Sequence, residues 1–125
     1  MKTAITVALL ASALSIQASA APKVLTCENL GKTITITIDE DAKSLNVRAS
    51  RNNLVFEIYD NKTYAVDAGS VASYQVKNGV ATNGSSISGE VAVLTNQDGS
   101  QKAALNFLND SLGKAWLSID QMDCK

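Results

Sequence analysis

Six carboxylates sit where a strand-rich chain could bring acids together: Asp39, Glu40, Asp41, Glu57, Asp67 and Glu90. Two acids at a fixed separation are enough to hydrolyse a glycosidic bond. The spacing puts no two of these six in one apolar cleft, so they read as solvated side chains. The chain has no histidine. That removes the usual general base and any Ser-His-Asp or Cys-His arrangement. The tip Asp39-Glu40-Asp41 has the oxygen donors that Ca²⁺ prefers. It lacks the spaced ligands and closing Glu of a calcium loop, and reads as a hairpin tip. No metal or cofactor is called for, and no glycine-rich phosphate loop leads into a helix. The expectation is a protein that is not an enzyme.

Two cysteines remain, Cys27 and Cys124. They have neither Cys-x-x-Cys spacing nor a histidine to complete a metal site. An even count in an exported chain is expected to pair. On the chain-entropy account, closing so long a loop adds about 4–5 kcal/mol. Export is expected from residues 1–20. Lys2 is followed by the apolar run Ala4–Ile16 and the small-x-small pattern Ala18-Ser19-Ala20. This reads as a secretory signal peptide cleaved after Ala20. The run is shorter than the roughly 20 residues of a membrane span. Residues 21–125 are then one domain, periplasmic or extracellular, with ten basic and twelve acidic residues. With no basic patch, nucleic acid is not an expected partner. The triplets at Asn61, Asn83 and Asn109 fit N-glycosylation acceptors, but turns rich in Asn, Ser and Thr produce them readily.

The elements that must position these residues read as strands throughout. Thr33–Asp39 alternates Thr with Ile, placing Ile34, Ile36 and Ile38 on one face. Leu25 and Cys27 share a face before it, and Leu45, Val47 and Ala49 follow. Leu54, Phe56 and Ile58 come next, with a turn expected at Asp60-Asn61-Lys62. Tyr64–Val76 keeps one parity over thirteen residues, about 43 Å if straight. A bend or bulge is therefore expected at Gly69-Ser70. Lys77–Ser86, with Asn78-Gly79 and Asn83-Gly84, is expected to be the longest irregular stretch. Gly89, Val91 and Val93 share the face of the next strand. Asp98-Gly99 suits a hairpin turn, followed by Ala103, Leu105 and Phe107 facing inward. In Lys114–Cys124, Ala115, Leu117 and Ile119 have the opposite parity to Met122 and Cys124, which predicts a bulge near Asp120-Gln121. Trp116, Tyr59 and Leu108 are expected to face away from the core. The fold class is all-β: a small antiparallel meander closing into an eight- or nine-stranded barrel, or a compact sandwich, with the terminal strands joined by a disulfide. An eight-strand count raises a conflict, because antiparallel first and last strands set Cys27 and Cys124 near opposite ends.

At Ser70-Val71-Ala72-Ser73-Tyr74 the chain resembles the Ser-Gly-x-x-Tyr motif of the small exported C-type lysozyme inhibitors, with Val71 in the Gly position. Asp98-Gly99-Ser100-Gln101-Lys102-Ala103 is similar to that family's later Lys-Gly-Asp/Asn-x-Ala turn, with Asp98 in the place of the Lys. The resemblance implies an eight-stranded barrel with an early and a late cysteine, and lysozyme as a protein partner. It also implies that Ser70 reaches into the enzyme's acidic cleft, with Lys102 as the nearest stand-in for the motif Lys. The tentative binding residues are therefore Ser70, Tyr74, Asp98, Gly99 and Lys102. The alternatives are a lipocalin-like carrier of an apolar ligand and a structural envelope protein without catalytic activity.

Overall fold

The computed structural model describes residues 21–125; the expected signal peptide lies outside them. Eight strands run in chain order: β1 (Lys23–Asn29), β2 (Lys32–Asp39), β3 (Ser44–Ala49), β4 (Asn52–Val66), β5 (Gly69–Val80), β6 (Ser86–Asn96), β7 (Gln101–Asn109) and β8 (Lys114–Cys124). Each pairs antiparallel with the next, and β8 returns to β1, closing a barrel. Among the described residues no helix is long and apolar enough to cross a membrane.

Alternation builds the wall. The isoleucines of β2 lie opposite Leu45, Val47 and Ala49 of β3, because Ile38 pairs with Leu45 and Ile36 with Val47. These residues point into a core filled by Ile36, Leu45, Phe56, Tyr74, Ile87, Leu105 and Phe107. Phe56 and Phe107 pack ring to ring across it, centroids 4.7 Å apart and tilted by 30°. The barrel interior is thus a packed core, and clefts open at its two mouths.

Three expectations about turns and strand bounds are corrected. Asp60-Asn61-Lys62 does not turn the chain. β4 runs through it for 15 residues, with a register shift at Tyr59 between Ile58 and Asp60. Beyond Ile58 every β4 residue is exposed. With water on both faces, alternation is no longer required, and polar residues look the same as a turn. The reversal comes instead at Asp67-Ala68, where Val66 pairs with Gly69. Tyr64 and Val66 therefore belong to a different strand from Tyr74 and Val76, and what was expected as a bend at Gly69-Ser70 is the start of β5. The count is eight because the Leu54 and Tyr64 segments are one strand. Lys77–Ser86 is also less irregular than expected. β5 continues to Val80 through a bulge between Val76 and Gly79, where Asn78 takes a positive φ of 62°.

The cysteine conflict is removed by stagger. Closing tilted strands displaces the last against the first. The C-terminal end of β8 therefore meets the far half of β1, with Cys27 opposite Cys124 and Glu28 opposite Asp123. Thr26 and Lys125 exchange backbone hydrogen bonds of 3.2 and 2.8 Å. The Cys27–Cys124 disulfide locks this short seam. The bulge near Asp120-Gln121 is present, since Ala103 pairs with Met122 but Leu105 with Ile119. A second shift between Phe107 and Leu108 leaves Trp116 as an extra residue. It turns the indole from the expected outward position to a half-buried one against the core. Tyr59 and Leu108 do face solvent.

Candidate functional site

The turns β2–β3, β4–β5 and β6–β7 crowd one end of the barrel. This end carries Asp39, Glu40, Asp41, Asp67 and Asp98 against Lys23, Lys43 and Lys125. The opposite end, formed by the other turns, carries Lys32, Arg51 and Lys114 against Glu28 and Asp110. A near-neutral chain is thus folded into a molecule with an acidic and a basic end.

The acidic end is braced. Gln97 N–H donates to the Ala68 carbonyl at 2.8 Å, tying the β6–β7 tip to the β4–β5 tip. Asp98 Oδ1 accepts from Ser100 N at 2.9 Å and Ser100 Oγ at 2.6 Å, which holds its carboxyl below the usual carboxylate range. Gly99 follows at φ 90°, the positive value this turn needs. Asp39 Oδ1 accepts from Ala42 N–H at 3.0 Å, an Asx-type brace of the third tip. Close approach also fixes β5 to β6. A side chain at Gly69 would run into the Thr95 carbonyl and come within 3.0 Å of the Asn96 Cα.

Ser70 lies at the start of β5, opposite Thr95 on β6 and Ala65 on β4. The structure therefore brings Ser70, Asp98 and Gly99 to the same end. Tyr74 stands one turn of the pleat deeper, only 2% exposed. It lines a cleft of about 310 Å³ with Ala72, Val93 and Thr95. Its hydroxyl donates to Glu40 Oε1 at 3.3 Å, and Glu40 also faces Lys23 Nζ at 3.7 Å. Burial, then the Glu40 charge, then that hydrogen bond push the phenol up to about 12. Tyr74 thus anchors the β2–β3 tip from beneath. Lys102 is on the outer wall of β7, opposite Leu94 and bridged to Asp123 at 3.3 Å. It does not join Ser70.

The remaining candidate carboxylates lie along the outer wall. Glu90 Oε2 accepts from Ser73 Oγ at 2.8 Å and Gln75 Nε2 at 2.6 Å, and Glu57 accepts from Asn78 at 2.9 Å. Sequence reasoning missed Gln97, whose backbone N–H bonds Ala68 and whose side-chain amide donates to the Asp67 carbonyl at 3.4 Å. It also missed the link between Tyr74 and Glu40, which lie 34 residues apart. Comparison with protein-family models, curated proteins and solved structures gives no match, so the site stands on its own geometry.

Proposed function

We propose that this chain is an exported, non-enzymatic binding protein that docks a protein partner, such as a lysozyme, through the acidic end of its barrel. The observation that carries the reading is the mutual bracing of the hairpin tips, with Gln97 N–H on the Ala68 carbonyl and Asp98 held by Ser100. Loops fixed before contact pay little ordering entropy on binding. Asp39, Glu40, Asp41, Asp67 and Asp98 give such a face a sign, so the partner's surface is cationic. The disulfide supports an oxidising compartment. The resemblance supplies a C-type lysozyme as the partner to try. The docking mode differs from a Lys reaching into an acidic cleft, because Lys102 is bridged on the outer wall.

Binding and inhibition of a C-type lysozyme by the purified, disulfide-bonded protein test this. Asp67→Lys with Asp98→Lys is expected to weaken binding by roughly tenfold or more, with strong salt dependence in the parent. Ser70→Ala with Lys102→Ala is expected to change it less. Unchanged binding in the charge-reversed protein would sink the acidic face, and no binding at all would remove lysozyme as the partner.

A further inference from the structure

The opposite mouth holds a second site. Only the last residues of β8 pair with β1, which ends at Asn29. Toward Lys114, β8 runs on without a neighbour on that side, and the wall has a notch. Beside the notch lies a cleft of about 360 Å³, within the size range of small-ligand pockets. Its floor is the inward-facing Ile34, Val47, Leu54 and Ile119, and Trp116 forms one wall. Lys32 is the only charged residue lining it.

The surroundings are mixed, with Glu28 on the outer face of β1 across from Thr33, but bases outnumber acids. Arg51 and Lys114 flank this end. The acid of its turns, Asp110, accepts from Ser86 Oγ at 2.8 Å and Ser88 Oγ at 2.5 Å, which directs its carboxylate toward β6. Leu30 sits on the rim between the lining residues Asn29 and Lys32, and is 94% exposed. It also adopts a positive φ of 53°, followed by Gly31 at 79°. A two-residue turn of this kind favours Asn-Gly, and a leucine there is costly both in backbone conformation and in exposed apolar surface. Leu30 thus offers an apolar side chain at the rim, free to meet a ligand.

We propose that this cleft binds a single-chain amphipathic anion of the medium-chain alkyl carboxylate class. The alkyl chain lies against Trp116 and the aliphatic floor, and the carboxylate faces Lys32. The site is separate from the acidic end and does not depend on the function proposed for it. An added peptide strand is the other occupant a bare edge invites, but the shifts at Trp116 and at Asp120-Gln121 break the regular ladder it needs.

Trp116 is the sole tryptophan, so its emission reports occupancy directly. Titrating the disulfide-bonded protein with monomeric decanoate is expected to give a saturable blue shift, with a dissociation constant on the order of 10–100 μM. Decyltrimethylammonium is expected to bind about tenfold more weakly or worse. Lys32→Glu is expected to weaken decanoate by about tenfold and leave decanol unchanged. Lys32 is exposed, and the head-group comparison on the parent protein stands without the variant. No saturable response, equal binding of the cationic amphiphile, or a response confined to phosphatidylglycerol vesicles or extended peptides would overturn the proposal.

Discussion

Tyr74 shows what a single residue does and how far the sequence tells it. Its inward parity with Val76 is legible, because both lie on the even face of one alternating strand. Its partner is not. Glu40 reaches it only through barrel closure, and polarity alone cannot separate a bonded tip carboxylate from a solvated one. The consequence is a pH dependence with a definite sign. The phenol titrates near 10 in the unfolded chain and near 12 in the fold. Between those values the unfolded chain has lost a proton that the folded one keeps, so stability falls as pH rises. The contribution is whole below about pH 10 and is lost by about pH 12, up to roughly 2–3 kcal/mol. Chemical denaturation across that window is expected to show the decline, and Tyr74→Phe to flatten it. The same substitution should cost about 1 kcal/mol at neutral pH by releasing Glu40.

At the scale of elements, legibility followed burial. The Ile/Thr strand reads correctly because one face is dry and the other wet, which enforces a period of two. The β4–β5 ribbon misleads because its outer half has no dry face, so the true reversal at Asp67-Ala68 carries no contrast with Asp60-Asn61-Lys62. Bulges were legible only where a parity break fell among apolar residues, as at Asp120-Gln121. The braces that make the acidic end one surface join tips far apart in the chain or run through the backbone, so residue type alone does not announce them. Gly69 tests them. Gly69→Ala drives a methyl into the Thr95 backbone, which cannot move without breaking the β5–β6 ladder. A loss of about 2–4 kcal/mol is expected, read as a fall in melting temperature of roughly 10–20 °C. Gly31→Ala has nothing within 4 Å and pays only for its positive φ, about 1 kcal/mol. Equal effects of the two would refute the close-approach account.

For the whole molecule, closure matters most. The strand count and the pairing of Cys27 with Cys124 were within reach of sequence, but their compatibility was not, since stagger is a property of the closed cylinder. The two cysteines are 97 residues apart, so the bond removes a large share of unfolded-chain freedom. Replacing both by Ala is expected to lower unfolding free energy by about 4–5 kcal/mol in urea titrations; a loss under about 1 kcal/mol would show that the seam holds without it. The same closure sorts the charges to opposite ends, a separation the linear order hides. Like ends repel, so a two-fold dimer through either end is disfavoured. Unlike ends attract, and such a heterologous contact does not close on itself. At low ionic strength and high concentration the barrels should therefore string together head to tail into open chains that salt dissolves, giving the molecule a polarity like that of a bar magnet.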